Sequence, residues 1–222
     1  MKTKHLVRVP EHIGVIPDGN RRWAQSRGMN KGEGYAPGVD AGFLMYEMCR
    51  DLGVRELTLY GFTRDNTRRP QKQRRQFQRA CVDAVLRITA EDADLRVIGD
   101  ADSPMFPEEL RSYTRRQTFG EGGIRVNFLV NYDWAWDLAH LNGNALDGAA
   151  RNAVPANLAS HDVSRIDLII RWGGRRRLSG FLPVQSVYAD VFVHEALWPD
   201  FVPEHLMQAL QWYQDQDVTL GG

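Results

Sequence analysis

Cysteine is scarce: Cys49 and Cys81 are the only two in 222 residues. They have neither metal-site spacing nor the numbers of a disulfide framework, so the reduced cytoplasm is the expected compartment. Net charge is also missing, because 28 Lys and Arg balance 28 Asp and Glu. No global field therefore draws the chain to nucleic acid or to an anionic membrane. No run approaches the roughly 20 apolar residues of a membrane span. The start, MKTKHLVRVPEHIGVI, is basic but lacks the apolar stretch of a signal peptide. The 6 histidines show no metal-ligand spacing, and internal repeats and low-complexity tracts are absent. There is no GxSxG motif, and the absence of a GxxxxGK(S/T) phosphate loop argues against an ordinary nucleotide kinase.

What is present fits one soluble domain over residues 1–222. Hydrophobic residues make up 43% and charged residues 25%, enough for a sizeable core. Short apolar runs read as buried parallel strands: IGVI from Ile13, Leu57–Phe62, LRVIGD near Leu95, VNFLVN from Val126 and IDLIIR near Ile166. QSVYADVFV, from Gln185, reads as a helix or turn leading into a last strand. Helical spacing appears between them at Arg22–Arg27, Gly38–Leu52, Gln71–Thr89 and Pro203–Asp215. This alternation predicts an α/β fold with a central, mainly parallel sheet flanked by helices. Ligands of such sheets sit at the carboxyl ends of the strands, so the loops there carry the functional reading.

Three of those loops are rich in arginine. In PDGNRRW, Asp18, Gly19 and Asn20 turn between a strand and a helix opened by Arg21 and Arg22. A helix start favours phosphate, Gly19 permits close backbone approach, and Asp18 could hold Mg²⁺ against a diphosphate. Asp18 reads equally well as a helix cap beside solvated arginines. The second loop runs from Thr63 to Pro70 through Arg64, Asn66, Arg68 and Arg69, and its basic run continues to Arg75. Aromatic residues do not interleave with it, which weighs against nucleic acid. The third runs from Arg171 through Gly173, Gly174, Arg175, Arg176 and Arg177 to Ser179. Guanidinium forks around a diglycine turn match diphosphate oxygens. Abundant positive charge, one strategic carboxylate and no nucleophile–base pair point to ionisation of a diphosphate leaving group.

The segments HIGVIPDGNRRWAQSRG, LTLYGFTRDNTRRP, LRVIGD, RVNFLVNY, DLIIRWGGRRRLSGF and QSVYADVFVHEALWPDF occur in this order. Together they resemble the cis-prenyltransferase family, typified by undecaprenyl diphosphate synthase, from about His12 to Phe201. The resemblance implies that family's fold, usually as a homodimer, with an apolar tunnel rising from a diphosphate site. It implies a Mg²⁺-binding, catalytic Asp18 and an allylic diphosphate surrounded by Gly19, Asn20, Arg21, Arg22 and Arg27. Asn66, as a second catalytic residue, and Arg69 match the second loop. Arg171, Arg177 and Ser179 match the holders of the second diphosphate, and Asp190 stands where a second Mg²⁺-associated carboxylate is usual. The implied partners are allylic isoprenyl diphosphates, with no nucleic acid and no transmembrane segment.

Several site positions depart from the usual pattern. Asp65-Asn66-Thr67 replaces ENW, Tyr35 replaces the histidine of GHKAG, and Asp133-Trp134-Ala135 replaces GGR. Arg175 replaces the glutamate of GGE, and Pro183 follows Ser179-Gly180-Phe181-Leu182. Loops that keep the diphosphate holders but change their surroundings resemble the lavandulyl-type enzymes, which join two allylic diphosphates head to middle. Such a condensation, as of dimethylallyl with geranyl diphosphate, is the expected activity. Regular cis elongation with isopentenyl diphosphate and a non-catalytic partner subunit are the alternatives. The polar first half of QKQRRQFQRACVDAVLRI, where long-chain relatives are apolar, predicts a short tunnel for two or three isoprene units.

Overall fold

A computed structural model describes residues 6–141 and 153–217; Met1–His5 of the basic start lie outside them. Seven strands, among the described residues, form one sheet in the order β4-β3-β5-β2-β1-β6-β7. They are β1 (His12–Ile16), β2 (Glu56–Tyr60), β3 (Ala93–Ile98), β4 (Gln117–Phe119), β5 (Ile124–Leu129), β6 (Leu168–Arg171) and β7 (Asp190–Val193). All neighbours run parallel except β3 and β4. The expected strands are all present. The short antiparallel β4 is an addition, with only three residues and no apolar run to announce it.

Parallel strands need both faces covered. Ile13, Val15, Leu57, Leu59, Val126 and Phe128 face one core, under α2 (Tyr35–Asp51), α3 (Gln71–Ile88) and α6 (Pro203–Gln214). Alternate residues Ile16, Tyr60, Ile98, Leu129 and Ile169 face a second core with Phe181 and Leu182. The short α1 (Asn20–Ser26), α4 (Trp134–Leu138) and α5 (Ala153–Ala156) lie in connecting segments. Helix α2 begins three residues before the expected Gly38, because Pro37 fits the first turn, where its missing N–H costs nothing. Cys49 and Cys81 are buried free thiols, each pushed up to about 12 by burial, and so are unreactive.

Strand pairing fixes the site. Ile16 at the end of β1 lies opposite Arg171 at the end of β6. Tyr60, ending β2, lies opposite Leu129 of β5. The loops after β1, β2 and β6 therefore open at the same edge of the sheet, as expected for parallel α/β topology.

Candidate active site

At that edge lies a cavity of about 470 Å³. Six arginines line it: Arg21, Arg22, Arg69, Arg171, Arg175 and Arg177. The carboxylates in its wall are Asp18 and Asp65. Arg21, Arg175 and Arg177 have no salt-bridge partner among the described residues. The cavity therefore holds uncompensated positive charge in a chain that is neutral as a whole.

Arg171 organises the centre. It is buried, and its Nη2 donates to Asp18 Oδ2 at 2.8 Å. Its Nη1 donates to Ser179 Oγ at 2.9 Å and also to the Arg177 carbonyl. One guanidinium thus ties the loop after β1 to the loop after β6. Arg22 adds a second tie, lying 3.4 Å from Asp18 Oδ1 and donating to the Gly173 carbonyl at 2.9 Å. That approach needs glycine: a Cβ on Gly173 would sit 2.3 Å from Arg22 Nη2, and the residue has a φ of +82°. Gly19, at φ +116°, turns the chain from Asp18 into α1.

Ser179 itself has a φ of +54°, rare for a residue with a Cβ. The Tyr60 hydroxyl donates to its carbonyl at 2.8 Å, and Arg171 holds its hydroxyl. Burial raises the Tyr60 hydroxyl's pKa, so it remains a protonated donor. In the second loop, the Asn66 side-chain oxygen accepts from Thr63 N–H at 3.1 Å. Its amide nitrogen is left as the group able to meet a substrate, and it can only donate.

Arg69 Nη1 donates to the Tyr35 hydroxyl at 2.9 Å. The Tyr35 ring stacks on Phe77 with centroids 4.5 Å apart. Burial raises the Tyr35 pKa against the opposing Arg69 charge, and burial lowers that of Arg69. Having accepted from Arg69, Tyr35 retains its own O–H to donate.

Thus Asp18, Gly19, Asn20, Arg21, Arg22, Asn66, Arg69, Arg171, Arg177 and Ser179 come together around one cavity. Two expected residues do not. Arg27 Nη2 bonds Asp200 at 2.9 Å and its guanidinium lies over the Trp23 ring, so it holds the outer side of α1. Asp190 begins β7 opposite Leu168, at the far end of the strand from the site. Three strand residues span roughly 10 Å, whereas a Mg²⁺ ligand sits about 2.1 Å from the ion. Within one chain, Asp190 and Asp18 therefore cannot share a metal. Tyr60 and Phe77, which the sequence did not single out, also line the cavity, beside Thr63 and Asp65 of the second loop. Tyr60 and Phe77, at a strand end and in the second turn of a helix, look like ordinary core aromatics in sequence.

A second, apolar cavity adjoins the first between α2 and α3, with about 70 Å³ of open space. Pro17, Asn20, Tyr60, Gly61 and Phe77 belong to the walls of both. A basin of uncompensated positive charge thus shares a wall with a narrow apolar slot.

The protein family described as putative undecaprenyl diphosphate synthase matches residues 16–221. The chain belongs to this family of prenyltransferases. It is 30% identical to an isoprenyl transferase of Porphyromonas gingivalis, over 99% of this chain and 92% of that one. It is 31% identical to a geranylgeranyl-diphosphate-specific tritrans,polycis-undecaprenyl-diphosphate synthase of Aeropyrum pernix, over 96% and 98% respectively. Among solved structures, lavandulyl diphosphate synthase from Lavandula x intermedia, in complex with dimethylallyl diphosphate, superposes with a TM-score of 0.80. That match covers 94% of this chain and 96% of the other at 24% identity, so it bears on the fold.

The candidate site has no ready-made protein cage for a metal: among the described residues no group of three or more His, Cys, Asp or Glu could hold a metal ion. Mg²⁺ commonly binds through one or two carboxylates plus substrate phosphates. Asp18, at the cavity wall and about a third exposed, fits that mode. No helix of the described residues is long and apolar enough to cross a membrane.

Proposed function

We propose that this prenyltransferase joins two short allylic diphosphates head to middle, as in lavandulyl-type condensation of dimethylallyl and geranyl diphosphates. The observation that carries this reading is the joined pair of cavities, one lined by six arginines and the other apolar and small. Asp18, Arg21, Arg22, Arg69 and Tyr35 surround the donor diphosphate. Arg171, Arg177 and Ser179 hold the second. The donor's C–O bond breaks, its electron pair leaving with diphosphate. The acceptor double bond then forms the new C–C bond, and a proton is lost from the resulting cation. Asp18 would hold Mg²⁺, which would supply charge neutralisation for the leaving diphosphate. The arginines and the Tyr35 O–H stabilise the same charge from fixed positions. Asn66 contributes a donor rather than a base.

Support for the head-to-middle reading comes from Tyr35, which lines the arginine basin, and from Thr67 and Trp134, which line a neighbouring cleft, while the diphosphate holders stay. Regular cis elongation is the second reading, favoured by the names of the relatives. Incubation with dimethylallyl and geranyl diphosphates, with and without isopentenyl diphosphate, separates the two. Branched product without isopentenyl diphosphate is expected; strict dependence on it overturns the head-to-middle assignment. A non-catalytic partner role is disfavoured because the Asp18–Arg171 centre is intact.

The enzyme is further proposed to act in the cytoplasm as a homodimer. The edge position of β7 and the exposure of Val187, Tyr188 and Val191 support the dimer. Light scattering on the purified chain reads this directly, and a monomer at micromolar concentration would refute it.

A further inference from the structure

The apolar cavity has one charged lining residue, Arg87, and it lies at the end remote from the diphosphates. Helix α3 presents Phe77, Ala80, Cys81, Ala84, Arg87 and Ile88 to the slot, a single helical face. Phe77 borders the diphosphate basin; Arg87 and Ile88 are three turns further on. Across the slot, α2 runs the same way, from Tyr35 at the basin to Phe43 at the far end. There the Arg87 guanidinium lies over the Phe43 ring, 3.8 Å from its centroid. Its Nη1 bonds Asp40 Oδ1 of α2 at 2.8 Å. Arg87 and Asp40 thus join the two helices where the slot would otherwise continue between them.

We infer that Arg87, clasped by Asp40 and Phe43, is the stop that limits the hydrocarbon length this enzyme accepts. The inference rests on the proposed seat of the donor diphosphate at Asp18, and holds for either regiochemistry. From Phe77 to Arg87 the helix rises about 15 Å. An isoprene unit adds four chain bonds of about 1.5 Å each, roughly 5 Å when extended. The distance along α3 from Phe77 to the guanidinium therefore matches about three extended units. A fourth unit would have to displace a cation from its ring face. It would then emerge beside Asp40, whose side chain is 77% exposed. Hydrocarbon passing that point leaves the apolar wall for water and gains no burial. The polar first half of α3 plays no part in this limit, because the lining begins at Phe77.

The test compares farnesyl with geranylgeranyl donors in the wild type, Arg87→Ala and Asp40→Asn. The readouts are kcat/KM and the binding of the corresponding thiolodiphosphates, which need no turnover. The wild type is expected to favour farnesyl at least 10-fold in both. Arg87→Ala should bring the ratio close to one, and Asp40→Asn should shift it the same way by less. A ratio within one variant is insensitive to the fraction of folded protein. Equal use of both donors by the wild type, or an unchanged ratio in Arg87→Ala, would overturn the stop. Length-dependent binding without any turnover would uphold the stop and remove the catalytic reading.

Discussion

Arg171 makes three hydrogen bonds from a nearly inaccessible position, to Asp18, Ser179 and the Arg177 carbonyl. A lysine there would keep the charge but not the fork, leaving two of the three acceptors unmet. Arg171→Lys should lower kcat/KM about 100-fold, close to the 3 kcal/mol upper range for a charged hydrogen bond. The loss should appear mainly in the acceptor's KM, measured by steady-state kinetics; a change confined to the donor would contradict its assigned place. Tyr35 presents a subtler case. Its hydroxyl accepts from Arg69 and is proposed to donate to the leaving diphosphate. Tyr35→Phe leaves a half-buried guanidinium short of an acceptor and removes that donor. A fall of roughly 10-fold in kcat/KM for the donor follows, and wild-type rates would show that the hydroxyl does not reach the diphosphate.

Across the elements, the amino ends of the strands carry a polar row instead of a catalytic one. His12 Nε2 meets Thr58 Oγ1 at 2.7 Å, and Asn127 Nδ2 donates to both Thr58 and Glu56. Arg116 closes the row on Asn127 Oδ1 at 2.6 Å. Burial lowers the His12 pKa, with Glu56 acting in the opposite direction. In the unfolded chain a histidine titrates at about 6.5. Below that pH the unfolded state takes up a proton that the folded state refuses. Stability from His12 is therefore complete above roughly 6.5 and is lost as pH falls toward the lowered folded value. The urea midpoint should drop between pH 7.5 and pH 5.5, and drop less in His12→Gln. Equal slopes would show that another group, such as His205, whose pKa burial also lowers, governs the window.

On the scale of the whole molecule, charge is neutral in sum but segregated in space. Among the described residues the basin has no preformed metal cage, so cation and diphosphate should bind as partners. Mg²⁺ with inorganic diphosphate should raise Tm by more than the two shifts found separately. A shift from Mg²⁺ alone as large as the combined one would point to a standing metal site and against substrate-carried metal.

The sequence determined the strand and helix order, because buried parallel strands need continuous apolar runs and covering helices need a 3.6-residue period. It also determined which loops would carry charge, since arginine and glycine there are visible without any fold. Tertiary structure alone decided which arginines act together. Arg27 and Arg22 lie five residues apart, yet one faces Asp200 and the other Asp18. Asp190 looked suitable by motif, but strand register sets it at the opposite end of the sheet from Asp18. Tyr60 and Arg87 carry no mark in the sequence, because their roles arise from what packs against them. Periodicity is a property of neighbours along the chain, and a site is a property of neighbours across it.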